Sequence, residues 1–238
     1  MLIPVKTMQN RPYIHVNVAM TVDGKIDATT RKGATISSIT DKLRVDQLRA
    51  SSDAVLIGGR TLINEDPKLT VKSAKLRHQR SNEGREENPA KVGIVSVADL
   101  KLNGNFLTAG PARSLIFTTK RTSSDQIARL EKAGAQVFVQ GDGVVNLTHV
   151  MRSLFQQGLQ KVLVEGGGTL IAELFRLDMV DELTAYIAPR IFGGASAPTL
   201  VDGPGFSPEQ SPVLQLESVE KIDAEGGVLI HYIVKHME

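Results

Sequence analysis

Lys161-Val-Leu-Val-Glu-Gly-Gly-Gly-Thr-Leu170 is the stretch that decides the fold. An apolar β-branched run enters a strand, three glycines interrupt it, and Thr169 to Leu177 reads as a helix. A strand that turns directly into a helix is the unit of an α/β sheet. Glycine has no Cβ, so the backbone of this loop can approach a ligand closely. The helix behind it offers unpaired N–H groups and the positive end of its dipole. Those features together make a phosphate cradle. A tight turn with no ligand is the alternative. The stretch is neither the common dinucleotide fingerprint, since position 171 is Ile171, nor a P-loop, since no lysine follows the glycines. Glu165 stands at the carboxyl end of the strand, where open α/β sheets carry their ligand contacts. Stabilising the dipole at the start of the helix is its structural alternative.

Working outward, the same rhythm recurs. Tyr13 to Met20 alternates as a strand and closes on Asp23-Gly24-Lys25, a turn. Thr40 to Ala50 reads as a helix with Thr40 as N-cap. Asp53 to Gly58 reads as a buried strand ending in Gly58-Gly59, after which Thr61 and Glu65 lie one helical turn apart. Lys72 to Lys91 is dense in Lys, Arg, Glu and Asn and reads as a solvated loop between elements. Strands are expected over Val92 to Val97, Ser114 to Thr119 and Ala135 to Gln140. Helices are expected over Ser124 to Gly134 and from Leu147, with Asn146 as cap. The end of the chain is strand-rich, over Glu182 to Ala188, Val213 to Lys221 and Val228 to Val234. A largely parallel sheet with antiparallel strands at the end is the expected class, in one domain spanning 1–238 with a short flexible segment at 1–11.

Composition excludes several functions. With no cysteine among 238 residues there is no disulfide, no thiolate catalysis and no Cys-based zinc site. The five histidines show no ligand spacing, and no metal is expected. A net charge of +2 gives no footprint for nucleic acid or an anionic membrane. No apolar run approaches the roughly 18 residues of a membrane span, and Met1 to Asn10 lacks a signal-peptide core, so a cytoplasmic protein is expected.

Five ordered motifs carry a family resemblance: Met20-Thr-Val-Asp-Gly-Lys25; Ile36-Ser-Ser38 with Arg44 and Leu48-Arg-Ala50; Gly58 to Val71; Val164-Glu-Gly-Gly-Gly-Thr169; and Val180-Asp-Glu-Leu183 through Tyr186 to Gly194. On these the chain resembles, from Pro12 to about Val234, the reductases of riboflavin biosynthesis, both stand-alone enzymes and the reductase half of the bacterial deaminase-reductase. The resemblance implies a dihydrofolate-reductase-like three-layer α/β fold, a homodimer, and NADPH as hydride donor, with NADH a possible substitute. It implies cofactor contacts at Thr61, Glu65, Ser96, Gly166, Gly167, Gly168, Thr169 and Leu170. It implies substrate contacts at Lys25, Ser38, Arg44, Leu69, Lys72 and Glu165, with Lys25 and Glu165 the catalytic pair. Two positions depart from the family pattern: Val95 precedes Ser96 where many relatives have Asp, and Glu65 stands where relatives often have Asp. The implied substrate is 2,5-diamino-6-ribosylamino-4(3H)-pyrimidinone 5′-phosphate, a phosphorylated pyrimidine. The deaminated 5-amino-6-ribosylamino-uracil 5′-phosphate and a non-catalytic NADPH sensor are the alternatives. Thr118, Thr119, Lys120 and Arg121 are candidates for reading the cofactor's 2′-phosphate, with a solvated strand end as the other reading.

Overall fold

The computed structural model describes residues 10–236. It is built on a nine-stranded sheet in the order β5-β4-β3-β2-β6-β1-β7-β9-β8. The strands are β1 (Tyr13–Thr21), β2 (Ala54–Gly58), β3 (Ala90–Ile94), β4 (Ser114–Thr118), β5 (Gln136–Val139), β6 (Lys161–Val164), β7 (Glu182–Ala188), β8 (Val213–Lys221) and β9 (Val228–Lys235). From β5 to β7 every pairing is parallel, and β9 then runs antiparallel to both β7 and β8. This is the expected mostly parallel α/β sheet.

The central strands are apolar throughout because both of their faces are covered. In β6, Val162 and Val164 face a core shared with Leu154 of α6 (Leu147–Gln156) and with Ile171 and Leu174 of α7 (Gly168–Arg176). Leu163 faces the opposite core, beside Leu62 of α2 (Gly59–Asn64) and Leu130 of α5 (Ser124–Lys132). Two apolar cores on opposite faces of one sheet give the three layers.

Several expectations shift. The first helix, α1, runs Ile39–Ser51, and its N-cap is Ser38 rather than Thr40: the Ser38 hydroxyl accepts from the Asp41 N–H at 3.1 Å. Strand β3 starts two residues before the expected Val92 and ends at Ile94. The Asn146 cap on α6 is as expected, its side chain accepting from the His149 N–H. The short α2 and α4 (Asn105–Thr108) carry too little pattern to be seen in sequence.

The largest correction is the charged stretch 72–91, which is not a solvated loop. It contains α3 (Ala74–Asn82), and Arg80 of that helix is 3% exposed. The Arg80 guanidinium donates to the carbonyls of Ala50, Ser52 and Glu86 at 2.7–2.8 Å, so it satisfies acceptors at the C-terminal end of α1. Lys91 lies fully buried in β3, its Nζ 3.0 Å from the Ala109 carbonyl and over the Phe106 ring. Burial lowers its pKa to about 8, against an opposing pull from Asp66. A string of charges reads as surface, but here Arg80 and Lys91 are inward-facing donors with assigned acceptors.

Of the expected flexible segment at 1–11, residues 1–9 lie outside the described residues. Arg11 is held by a two-armed contact to Asp181 at 2.8 Å on each arm.

Candidate active site

A cavity of about 700 Å³ opens over the carboxyl ends of β6, β2 and β3 and reaches across to the middle of β1. Strand β6 lies between β2 and β1, so the sheet's connection order reverses beneath this opening, the usual ligand position in an open α/β sheet.

The glycine loop forms its floor. Gly166 and Gly167 have φ of +139° and +89°, conformations that a side chain rarely adopts, and a Cβ on Gly167 would lie in van der Waals contact with the Gly58 backbone at 3.6 Å. Among the described residues, no backbone N–H from Gly166 to Leu170 has an acceptor; the first helical bond of α7 is Ile171 N–H to the Gly167 carbonyl. A row of free donors at the start of a nine-residue helix is the chemistry of an anion cradle. The structure therefore fits the diphosphate of a dinucleotide at this loop.

Beside the loop, Glu165 meets Arg49 of α1 in a bidentate pair at 2.7 and 2.6 Å. Burial pulls the Arg49 pKa down, but Glu165 and Asp46 outweigh it and the net direction is upward. The pair is permanently charged on the arginine side and fixed in orientation. Asp46 accepts from the backbone N–H groups of Lys72 and Ser73 at 2.6 and 2.8 Å, which brings Lys72 to the cavity wall.

A second wall is the segment after β1. Asp27 accepts from the N–H groups of Ala28, Gly33 and Ala34, folding 27–34 into a compact turn. Gly33, at φ +79°, passes so close to Glu65 that a Cβ there would sit 3.3 Å from its Oε2. Glu65 is therefore crowded, and burial, followed by the Asp27 charge, raises its pKa against a hydrogen bond with Thr61. It is the cavity carboxyl with an upward shift.

Of the residues expected from sequence, Thr61, Glu65, Ser96, Gly166, Gly167, Gly168, Thr169, Leu170, Lys72 and Glu165 line the cavity. Lys25, Ser38, Arg44 and Leu69 do not. Lys25 is held by a backbone bridge to Thr199, and its Nζ lies 3.5 Å from the Ala197 carbonyl. Ser38 caps α1. Arg44 is occupied by Asp41 and Asn17. Leu69 is a core residue, 1% exposed. Thr118, Thr119, Lys120 and Arg121 also stand away from the lining: the Thr118 and Thr119 hydroxyls are engaged internally, and Lys120 pairs with Asp142 in solvent.

Sequence reasoning missed Asn17, Asp27, Arg31, Lys42, Asp46, Arg49 and Arg60, all in the lining. One signal was available. Lys42, Val45, Asp46 and Arg49 follow i, i+3, i+4, i+7 on α1, so the helix face turned to the cavity carries Arg49, whereas Arg44 points elsewhere. Among the described residues no cluster of His, Asp and Glu is arranged to hold a metal, and no helix is long and apolar enough to cross a membrane.

An open α/β sheet with a row of free N–H groups and a charged, half-apolar chamber beside it is the architecture in which α/β proteins place a ligand site. Residues 12–226 match the model of the RibD C-terminal domain, and the chain belongs to that family. It is 38% identical over 212 residues to the 2,5-diamino-6-ribosylamino-4(3H)-pyrimidinone 5′-phosphate reductase of Archaeoglobus fulgidus, covering 89% of this chain and 94% of the relative. To the protein of the same name from Methanothermobacter thermautotrophicus it is 34% identical over 225 residues, covering 94% and 99%. The fold is shared with a pyrimidine reductase-like protein of Corynebacterium diphtheriae, at a TM-score of 0.79 and 21% identity, covering 96% of this chain and 94% of that one.

Proposed function

We propose that this protein is a reductase of riboflavin biosynthesis that uses NADPH to convert the ribosylamino group of 2,5-diamino-6-ribosylamino-4(3H)-pyrimidinone 5′-phosphate to ribitylamino. The observation that carries the reading is the run of free N–H groups from Gly166 to Leu170 opening into the same cavity as the Arg49–Glu165 pair. The names and near-complete coverage of the archaeal relatives support the choice of substrate.

When bound, a reduced nicotinamide cofactor supplies a hydride. The chain's own residues provide orientation and charge. Gly166 to Leu170 hold the diphosphate, with Thr61 and Ser96 beside the cofactor. Lys42 and the expected Lys72 line the chamber on the side of α1 and neutralise the substrate's 5′-phosphate. Glu165, fixed by Arg49, accepts hydrogen bonds from the substrate's hydroxyl or amino groups. Glu65 retains a proton to higher pH than an ordinary glutamate and gives it to the opening sugar oxygen, so that Glu65 in place of Lys25 joins Glu165 as the catalytic pair. The same reading carries a homodimer, which light scattering measures directly.

The test is loss of the reduced-nicotinamide absorbance band on mixing protein, NADPH and the diamino substrate, with the deaminated compound run in parallel. Oxidation with the diamino compound is the expected result. Oxidation with the deaminated compound alone reverses the choice of substrate. No oxidation with either, from protein that binds NADPH, overturns the reductase reading in favour of a sensor.

A further inference from the structure

Asn17 sits in the middle of β1, 6% exposed, with its side chain in the wall of the cavity. Its Oδ1 accepts from Arg44 Nη2 at 2.7 Å and from the Thr184 hydroxyl at 2.9 Å. A guanidinium has no acceptor, so the atom facing Arg44 has to be the amide oxygen. The two donors occupy both of its lone pairs. The amide is therefore locked one way round, and its NH2 group is left over. Among the described residues Nδ2 has no acceptor, and it is not among the polar atoms sealed from solvent. An amide nitrogen that has no protein partner and is open at the edge of a ligand chamber has a donor to offer.

The partners behind it hold that orientation. Arg44 is itself fixed by Asp41, with Nε and Nη2 at 3.0 and 2.7 Å from Oδ1. The single Thr184 proton goes to Asn17, so Thr184 accepts from Nε2 of the buried His15 at 2.9 Å. Burial, then the charges of Lys161, His231 and Arg44, lowers the His15 pKa to about 3, so the imidazole is neutral and the arrangement does not invert near neutral pH.

We propose that Asn17 is a substrate-reading residue that donates from Nδ2 to a neutral carbonyl oxygen of the bound pyrimidine, and that Arg44 is a positioning residue acting through it. This rests on the reductase reading above. It gives Arg44, whose position off the cavity leaves it unable to hold a phosphate, a function at the site.

Asn17→Asp tests it. The aspartate keeps an oxygen for Arg44 and Thr184, so the fold is retained, but it turns the donor into a charged acceptor. Expected is a fall of about 10- to 100-fold in kcat/KM for the pyrimidine, the span of one hydrogen bond to a polar group, with the NADPH dissociation constant and the thermal midpoint unchanged. Arg44→Lys keeps a cation beside Asp41 but loses the fork. It is expected to raise KM for the pyrimidine and leave KM for NADPH alone, and the double variant to be no worse than Asn17→Asp, because the two act as one unit. Wild-type kcat/KM in Asn17→Asp overturns the proposal, as does a parallel loss of NADPH binding. Wild-type protein inactive in the same assay removes the reductase reading itself, and the proposal with it.

Discussion

The glycine loop at 165–170 and the charged stretch at 72–91 lie on opposite sides of what a local pattern can convey. In the first, the residues' own backbone chemistry is the message: apolar run, glycines, helix start. Nothing distant is needed to know that free N–H groups will point outward. In the second, Lys, Arg and Glu give the composition of a solvated excursion, yet Arg80 and Lys91 are among the most buried charged residues. Apart from the Glu86 carbonyl, their acceptors, the carbonyls of Ala50, Ser52 and Ala109, lie outside the stretch. The glycine loop leaves its donors free; Arg80 and Lys91 spend theirs on the protein. Variants at the glycines should therefore alter binding, and variants at Arg80 and Lys91 stability.

Gly167→Val should produce the largest effect. The residue holds φ at +89° and has the Gly58 backbone 3.6 Å from where a Cβ would lie. A β-branched side chain there distorts the cradle, and NADPH affinity should fall by at least about 100-fold by fluorescence titration, on the scale of strained backbone conformations. Next is Arg80→Met. It removes the Arg80 donor from the Ala50, Ser52 and Glu86 carbonyls, of which Ala50 and Ser52 keep Arg85, and denaturant melts should show a loss of about 1–3 kcal/mol with NADPH affinity intact. An unchanged melting profile would restore the surface-loop reading of the segment.

Lys91 sharpens the contrast through pH. Its folded pKa, about 8, lies below the value for an unfolded lysine, so the folded state gives up the proton first. Below about pH 8 both states are protonated and the burial penalty is constant. Between about 8 and the unfolded value the unfolded state binds more protons, and stability rises with pH. Wild type should thus gain thermal midpoint relative to Lys91→Met across that window and hold a constant offset below it. A constant offset throughout would mean that Lys91 titrates normally. The smallest effect belongs to Ser73→Ala, which removes the cap of α3. It should cost about 0.5–1 kcal/mol, at the low end for N-caps because the Ser73–Leu76 contact is long, at 3.4 Å.

This division also describes what the sequence made legible. The bounds of β7 and β8, the Asn146 cap and the strand–glycine–helix unit follow from short-range periodicity and capping, and they appear where the pattern places them. Site residues presented by such units, Thr61, Glu65, Ser96 and the glycines, reach the cavity. Four carried over from the family resemblance do not: Lys25 is turned to the 197–199 segment, Ser38 caps α1, Arg44 is turned toward Asp41 and Asn17, and Leu69 is buried in the core. Asn17 and Asp27 were invisible because their roles depend on partners more distant in the chain or on a loop's three-dimensional path.

The most direct test of the account is an NADPH fluorescence titration on wild type, Gly167→Val and Arg80→Met side by side. Wild type and Arg80→Met should bind with the same affinity, while Gly167→Val should not bind measurably although it remains folded. Equal binding by all three folded proteins would contradict it, since the cofactor would then be held somewhere other than the glycine loop.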